Sequence, residues 1–330
     1  MRIFAEIAVV PAVLFALLLG ALPTSATAQP FPERPLKILV GGAPGSVPDA
    51  MIRPIAEQLS VSLGQPVVVE NKPGAAGIVA MQALTRAAPD GYTLSIGHWS
   101  THVVNGAVYQ LSYDLRKDFE PVAMIATNPQ LIVTKTTVPA TNLTELVTWV
   151  KANQERVSVG TAGVGSASHV GGIYFQNIIG AKLLFVPYRG AAPALQDLMA
   201  GQIDLILDQA ANSLPWVRSG KIRAYAVTAK ARVAAAPDIP TVDEAGLPGL
   251  YIAVWHAIWV PKGTPKEIVA RLNAAVVETL ADPSVRQRLA DLGQEIPARE
   301  QQTPEALGAY HDAEIAKWWP LIKAAGIKAE

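Results

Sequence analysis

Short apolar runs alternate with helical segments along most of the chain, and this alternation restricts the possible folds more than any other feature. Residues 36–40, 67–69 and 92–96 are strand-like, and the apolar side chains of residues 49–63 and 78–87 have helical spacing. Strands of a parallel sheet are short continuous apolar runs, because helices cover both faces of such a sheet. The sequence therefore predicts an α/β fold with a mostly parallel sheet flanked by helices.

A second series of the same kind begins near Gln130. Its predicted strands are residues 131–133, 157–159, 183–186, 203–207 and 224–228. Its predicted helices are residues 143–152, with Thr141 or Asn142 as the cap, and residues 167–179, 191–200 and 213–217. An extended apolar run over 251–260 and three helices, 266–280, 283–292 and 304–325, complete the chain. The pattern thus indicates two α/β units of similar size.

Two extended segments, 119–133 and 251–260, are suited to connect these two units. If the chain crosses twice, the first lobe is discontinuous and comprises residues 29–125 and 256–330. The second lobe then comprises residues 126–255. Two lobes joined by two strands enclose a cleft that can close by hinge motion, and clefts between domains are common ligand sites.

Residues 1–28 are predicted to be a secretory signal peptide. An apolar run over 7–19 follows Arg2, and Ala26-Thr27-Ala28 is a small-residue cleavage signal, which places the cut after Ala28. The apolar run is too short for an ordinary membrane span, and an uncleaved anchor is the alternative. We therefore expect the protein to be exported.

The charges of the chain balance, since Lys+Arg and Asp+Glu both number 27, and it contains no cysteine. A neutral chain has no net field that favours nucleic acid or acidic membrane surfaces, so we expect no nucleic-acid partner. The absence of cysteine excludes a disulfide framework, a thiolate metal site and a cysteine nucleophile.

A glycine-rich loop, GTAGVGSASH at residues 160–169, follows a predicted strand and leads into a predicted helix. Glycines let the backbone turn tightly and approach a ligand closely. Serine is a favoured helix N-cap, and a helix N-terminus presents unpaired N–H groups and a partial positive charge. These features predict an anion site, with the candidate ligand-binding residues Ala162, Gly165, Ser166, Ser168 and His169.

A similar loop, GGAPGSVPD at residues 41–49, joins the first predicted strand to its helix. It lies at the carboxyl end of a strand, where ligands bind in open α/β sheets. The candidate residues here are Ala43, Gly45 and Ser46. Asp49 is well placed to cap the helix that follows, and direct contact with the ligand is the alternative.

The known catalytic and nucleotide-binding patterns do not occur in these loops. No G-x-x-x-x-G-K-[ST] string is present, and G-x-G-x-x-G fails after Gly163 and Gly165 because residue 168 is serine. G-x-S-x-G is absent around Ser166 and Ser168, and nothing indicates a nucleophile–base pair. The sequence therefore predicts a binding protein that is not an enzyme and uses no cofactor.

Other candidate ligand-binding residues follow the third and later strands, at the same edge of the sheets. Trp99, Ser100 and Thr101 lie between His98 and His102, whose spacing would suit zinc on a helix. No third ligand is evident, so structural roles are favoured for both histidines.

Two further strands end in candidate residues. Tyr188 and Arg189 follow a strand, and Arg189 would either pair with a carboxylate or remain solvated. Asp208 would disfavour a second anion close by, or favour a ligand amine or hydroxyl.

Several strings resemble the extracytoplasmic solute receptors of tripartite tricarboxylate transporters, the Bug or TctC-like family. They include FPERPLK at 31–37, GQPVVVENKPGAAG at 64–77, APDGYTL at 88–94, YD at 113–114 with KDF at 117–119, SASH at 166–169, residues 186–204, and IPTVDEAG at 239–246. The resemblance extends over nearly all of the chain that follows the predicted signal peptide.

The resemblance implies a monomeric periplasmic protein with two lobes, a Venus flytrap of type II-like topology. Such receptors capture small organic anions and deliver them to a membrane permease, and they hold carboxylates through loop backbone groups, hydroxyls and ordered waters. This role maps onto residues 43–46 and 162–168. The first loop departs from the family's P-G-G-[ST]-x-D, and the bulk of Trp99 could adapt the pocket to an aromatic or longer ligand. A receptor that signals to a sensor kinase is the alternative function.

Overall fold

The computed structural model describes residues 31–328. The predicted signal peptide lies outside the described residues. Within residues 31–328, no helix combines the length and apolar character that a membrane span requires.

The first α/β unit follows the predicted order closely. It comprises β1 (Leu36–Val40), α1 (Val47–Leu63), β2 (Val67–Asn71), α2 (Ile78–Thr85) and β3 (Thr93–His98). β1 lies in the middle and pairs in parallel with both β2 and β3. A π-helical turn (Ser100–Val104) and the short helix α3 (Asn105–Val108) follow β3.

The second unit begins with β4 (Phe119–Lys135), a single strand of 17 residues. The elements after it are α4 (Leu143–Ala152), β5 (Ser158–Thr161), α5 (Ala167–Ile179), β6 (Leu184–Pro187), α6 (Ala191–Met199), β7 (Leu205–Gln209), α7 (Ala210–Arg218) and β8 (Ile222–Val227). The chain ends with β9 (Ala253–Pro261), α8 (Lys266–Ala281), α9 (Pro283–Asp291) and α10 (Pro304–Ala324).

The strands follow the order β2-β1-β3-β9-β4-β7-β5-β6, with β8 paired to β4. β1, β2 and β3 are parallel to one another, as are β5, β6 and β7. The crossing strands β4 and β9 are antiparallel to their neighbours. The predicted α/β fold with two lobes, each built on a mostly parallel sheet flanked by helices, is confirmed.

β4 belongs to the apolar cores of both lobes. Its residues up to Ala126 pack with β1 and β3 of the first lobe, whereas Leu131, Ile132 and Val133 pack within the second. The change of pairing partner lies at Gln130, where β4 leaves β9 and begins to pair with β7. The lobe limits 29–125 with 256–330, and 126–255, stay a prediction.

Two predicted helix starts are wrong. α7 begins at Ala210 rather than at residue 213. α1 begins at Val47 rather than Asp49, and Ser46 holds the N-cap position with extended backbone angles. Pro48 explains the earlier start, because proline fits the first turn of a helix, where no intrahelical N–H bond is lost. Asp49 is therefore not the N-cap, and its carboxylate has another role. α4 begins and ends as predicted, with Asn142 as its cap.

Candidate ligand-binding site

A cavity of about 230 Å³ lies between the two lobes, at the carboxyl ends of the parallel strands of each lobe. Both lobes contribute loops to its lining, and β4 and β9 contribute side chains. The lining residues are Val47, Pro48, His98, Ser100, Gln130, Ala162, Ser166, Ala167, Ser168, Ala191, Asp208, Gln209, Val254 and His256. The volume is below the roughly 300–1,000 Å³ of sites for drug-sized molecules, so the site suits a small ligand.

The N-termini of four helices border this cavity. Val47 begins α1, Ala167 begins α5, Ala191 begins α6, and Gln209 is the N-cap of α7. The first N–H groups of a helix have no intrahelical acceptor, and the helix dipole adds a partial positive charge there. Among residues 31–328, no lysine or arginine lines the cavity. The positive potential that an anion would meet comes from backbone dipoles.

Hydrogen bonds within the loop over 160–169 hold its shape. The Ser166 hydroxyl accepts from the backbone N–H of His169 at 3.2 Å and so caps α5. The Ser168 hydroxyl accepts from the backbone N–H of Ala162 at 2.8 Å, and the two serine hydroxyls lie 3.0 Å apart. Gly163 and Gly165 have positive φ angles, which glycine adopts without strain. The loop is thus preorganised around the α5 N-terminus.

His169 acts within this loop as a hydrogen-bond acceptor. Its Nδ1 accepts from the backbone N–H of Gly165 at 3.1 Å, so the neutral ring carries its proton on Nε2. Burial lowers the pKa of His169 below the ordinary value of 6.5. The ring is therefore neutral at pH 7 and supports the glycine turn.

The first-lobe loop is closed by a buried carboxylate. Asp49 accepts from the backbone N–H of Gly45 at 2.8 Å, from the Arg53 guanidinium at 2.8 and 3.0 Å, and from Asn71 Nδ2 at 2.9 Å. The hydrogen bonds from Arg53 are the main reason that the pKa of Asp49 falls to about 2. Both oxygens are occupied, so Asp49 positions the loop that carries Val47 to the cavity.

Ser46 is enclosed by its own loop. Its hydroxyl is buried and has no hydrogen-bond partner among residues 31–328. A Cβ atom on Gly42 would come within 2.3 Å of the Ser46 hydroxyl, so glycine is needed there. Ala43 serves the same turn, because its carbonyl accepts from the Ser46 backbone N–H at 3.0 Å. Ala43 and Ser46 do not line the cavity. The residues of this loop that line it are Val47 and Pro48.

The strands contribute a polar group of side chains to the cavity. His98 on β3 and His256 on β9 are directly opposite each other, with ring centroids 5.7 Å apart. Burial lowers the pKa of His98 to about 4 and that of His256 to about 3, so both rings are neutral at pH 7. Gln130 on β4 is fully buried, and neither of its amide atoms has a partner among the described residues.

Asp208, at the end of β7, is the one carboxylate that lines the cavity in the described part of the chain. It is 3% exposed, and burial raises its pKa to about 6. Its oxygens accept from the Ser213 hydroxyl at 2.7 Å and from Asn212 Nδ2 at 3.2 Å, both within α7. Asp208 is therefore mostly ionised at pH 7, in a place where a second anion would be repelled.

Other predicted site residues lie around a neighbouring groove of about 580 Å³, which shares Ser100 and Ser166 with the first cavity. Gly165, Tyr188 and Arg189 line this groove. The Tyr188 hydroxyl donates to Asp197 at 2.7 Å, and Arg189 is exposed. These residues are therefore positioned beside the cavity rather than within it.

Trp99 and Thr101 lie in the core of the first lobe, which corrects the prediction that Trp99 shapes the pocket. Trp99 is fully buried against the ring of Trp318. The Thr101 hydroxyl donates to the His98 carbonyl and accepts from the His98 N–H, which fixes the turn. His102 stacks on Trp259 at 4.4 Å. Within residues 31–328, no three potential metal-binding side chains are grouped together.

Sequence reasoning did not identify Gln130 and His256 as residues of the site. It also missed four residues at helix N-termini, Val47, Pro48, Ala191 and Gln209. One signal was available for His256, which is an isolated polar residue within the apolar run AVWHAIWV at 253–260. Gln130 instead follows the polar residues Thr127 and Asn128. A polar side chain at a buried strand position needs a partner. The convergence of four helix N-termini depends on tertiary structure and has no comparable signal.

A cavity between two α/β lobes, bordered by helix N-termini, defines a two-lobed solute-binding protein. Residues 51–327 match the model of the TctC family, described as the tripartite tricarboxylate transporter family receptor, and the chain belongs to this family. It is 39% identical to a UPF0065 protein of Agrobacterium vitis, encoded in the ttuE-ttuC′ intergenic region of TAR-I, over 92% of this chain and 88% of the relative.

Two solved structures have the same architecture. The periplasmic binding protein BugD is 38% identical, with a TM-score of 0.73, and the match covers 91% of this chain and all of BugD. MatC from Rhodopseudomonas palustris, solved with bound malate, is 38% identical with a TM-score of 0.73 over 88% of this chain and all of MatC. The family is one of periplasmic solute-binding receptors.

Proposed function

We propose that the protein binds a small organic carboxylate in the cavity between its lobes and delivers it to a tripartite tricarboxylate-type membrane permease. The observation that carries this proposal is the convergence of four helix N-termini on a cavity whose described lining contains no lysine or arginine. Each helix N-terminus stabilises an anion by about 0.3–1 kcal/mol, and by up to ~2 kcal/mol where it is partly buried. Backbone donors from both lobes would hold the carboxylate.

The size and chemistry of the cavity favour a carboxylate over a nucleotide. The volume of about 230 Å³ is small, and both glycine loops lack the lysine of a phosphate loop. MatC, which shares the architecture, contains malate. Carboxylate binding by this chain is in keeping with that relative.

Isothermal titration calorimetry with propionate and propionamide tests the proposed charge recognition. The two molecules have nearly the same shape, and they differ in the charge that the helix N-termini would stabilise. We expect propionate to bind about 5- to 150-fold more tightly, since two helix N-termini together supply about 1–3 kcal/mol. Equal binding of the two, or binding of the amide alone, would contradict the proposal. Recovery of unchanged ligand, measured by NMR after prolonged incubation, is the expected result for a receptor without catalytic activity.

Delivery to a permease requires a second experiment in cells. Deletion of the gene should abolish uptake of a labelled ligand that binds the purified protein, and the wild-type gene should restore uptake. The mature protein should begin at Gln29, the residue that follows the predicted cleavage site. Unchanged uptake together with a lost transcriptional response to the ligand would instead favour the signalling function. Closure of the lobes around the ligand would create the surface that the partner recognises.

A further inference from the structure

The helix N-termini and loops proposed to hold the carboxylate form a clamp, and several polar side chains that line the cavity lie outside it. Four of these side chains belong to strands. Gln130, His98, His256 and Asp208 come from β4, β3, β9 and β7, and all four border the same space. Strand positions hold side chains more rigidly than loops do, which suits a group that selects a ligand. The clamp itself is built from loop and helix-terminal backbone groups, so these side chains would contact a different part of the ligand.

Gln130 has the largest unmet hydrogen-bonding capacity of the four. Its backbone is satisfied, because its N–H donates to the Thr228 hydroxyl at 3.0 Å and its carbonyl accepts from the Thr228 N–H at 2.8 Å. Its side-chain amide, in contrast, has a buried donor and a buried acceptor without partners in the described chain. Buried polar groups in native proteins are nearly always hydrogen-bonded, so an unpaired amide beside a cavity indicates a ligand partner.

The neighbouring helix makes room for this amide. A Cβ atom on Gly171 of α5 would come within 2.3 Å of Gln130 Oε1. Glycine is unfavourable inside a helix by roughly 1 kcal/mol relative to alanine, so its presence here needs a reason. The space above Gly171 is what allows a polar side chain to lie at this depth.

The other three side chains add both donors and acceptors. His98 Nδ1 accepts from the backbone N–H of Ser100 at 3.2 Å, so the neutral ring has its proton on Nε2 and is a donor there. His256 Nδ1 is buried and has no partner among residues 31–328. Asp208 supplies a carboxylate acceptor. The group therefore offers a mixture of donors and acceptors around one space.

This mixture discriminates among the functional groups that a carboxylate ligand could carry. A second carboxylate only accepts hydrogen bonds, and beside the Asp208 carboxylate it would be repelled. An ammonium group only donates, and it would leave the Gln130 amide donor and the His98 Nε2–H without an acceptor. A hydroxyl both donates and accepts, so it can satisfy an amide, a neutral histidine and a carboxylate together.

We propose that Gln130, His98, His256 and Asp208 form a hydroxyl-binding subsite, and that the protein selects hydroxylated carboxylates. This inference rests on the proposed carboxylate binding and names the class of ligand within it. The carboxylate occupies the helix N-termini, and one or more hydroxyl groups on its carbon chain reach the four side chains.

A series of four-carbon acids of matched length tests the inference by calorimetry. The ligands are butyrate, the 2-, 3- and 4-hydroxybutyrates, 2,3,4-trihydroxybutyrate, 4-aminobutyrate and succinate. At least one hydroxylated acid should bind about 10- to 100-fold more tightly than butyrate, since it satisfies buried groups that butyrate leaves unpaired. It should also bind more tightly than 4-aminobutyrate and succinate.

Two variants assign any preference to the subsite. Gln130→Leu and Asp208→Asn should each reduce the affinity ratio of the best hydroxylated acid to butyrate by at least about 5-fold. Gln202→Leu, a matched change at an exposed glutamine, should leave that ratio unaltered. Thermal unfolding of each variant shows whether it is folded, and the ratio compares two ligands on the same protein sample.

The outcomes separate this inference from the proposed function. If butyrate and the hydroxylated acids bind equally, or if succinate or 4-aminobutyrate binds best, the hydroxyl subsite is refuted while carboxylate binding stands. A hydroxyl preference that both variants retain also refutes the subsite. If no acid of the series and no propionate binds, the proposed function fails, and the inference fails with it.

Discussion

Replacing Asp49 by asparagine should destabilise the protein and weaken its ligand binding together. The Asp49 carboxylate is 3% exposed and connects the Gly45 N–H, the Arg53 guanidinium and the Asn71 amide. Asparagine keeps the shape of the side chain and removes its charge. The loop that brings Val47 to the cavity then loses the charged hydrogen bonds that hold its shape. Both the stability of the fold and the contribution of the first lobe to ligand binding should therefore decrease.

The magnitude follows from the pKa of Asp49, which falls from 3.8 to about 2 in the folded protein. A shift of nearly two units corresponds to at most about 2.5 kcal/mol of stability at neutral pH, at 1.36 kcal/mol for each unit. The Arg53 side chain is 53% exposed, and water screens part of the interaction. We therefore expect Asp49→Asn to lower the free energy of unfolding by about 1–2 kcal/mol at pH 7.

The pH dependence provides the sharper test. A carboxylate with a depressed pKa stabilises the fold above its unfolded pKa, and this contribution is lost as the pH falls through the folded value. The difference in unfolding free energy between wild type and Asp49→Asn should be constant from pH 7 to pH 5. It should then shrink between about pH 4 and pH 2.

Urea denaturation followed by circular dichroism measures this difference. Asp312→Asn is the matched control, since Asp312 is 66% exposed in its ion pair with Arg116, and such pairs contribute about 0–1 kcal/mol. A difference for Asp49→Asn below about 0.5 kcal/mol at pH 7, or one that persists unchanged at pH 2, would refute the assigned role of the carboxylate.

Three further changes have directions set by the structure. Ser168→Ala removes the hydroxyl that accepts a loop N–H, and it should lower the unfolding free energy by about 1–3 kcal/mol and weaken carboxylate binding in calorimetry. Gly171→Ala places a Cβ within 2.3 Å of the Gln130 amide oxygen, so the free energy of unfolding measured by chemical denaturation should fall by about 1–3 kcal/mol. Burial raises the pKa of Asp208 to about 6, so its ionisation destabilises the fold as the pH rises from about 4 to 6. Between pH 4 and pH 7, the unfolding free energy of Asp208→Asn, measured by urea denaturation, should therefore rise by about 1–3 kcal/mol relative to that of wild type.

Two of these changes have a matched control variant. Ser219→Ala removes an exposed hydroxyl and should alter neither stability nor binding measurably. Gly308→Ala lies in α10, where a Cβ would meet only ordinary contact at 3.6 Å, and it should stabilise by up to about 1 kcal/mol. Equal effects of the Gly171 and Gly308 changes would contradict the packing at Gln130. A pH-independent difference for Asp208→Asn would contradict its raised pKa.

The elements that the spacing of apolar residues indicates were predictable from the sequence, and the others were not. α5 lies where its apolar spacing and the cap at Ser166 place it, because local signals and burial agree there. β4 was identified only as an extended segment that included a strand over 131–133. Its full length of 17 residues depends on pairing with β9, which lies more than 100 residues away in sequence and has no local signal.

The candidate site was likewise predictable only in part. Ser166, Ser168 and the glycines around them were identified because glycine and serine mark loops through their local backbone preferences. Asp49 was predicted to be a cap, but Pro48 moved the helix start and the carboxylate instead holds Gly45 and Arg53. Gln130 was missed because its significance appears only when β4 passes between the lobes and leaves its amide unpaired.

A crystal structure with the tightest-binding acid of the calorimetric panels would show directly where the carboxylate binds. We expect a carboxylate oxygen to lie within hydrogen-bond distance, about 3 Å, of the N–H of Ala167 or Ser168 at the α5 N-terminus. We also expect the loop that begins α1 at Val47 to contact the same carboxylate. A carboxylate paired with Arg189 in the neighbouring groove, away from both loops, would contradict the account.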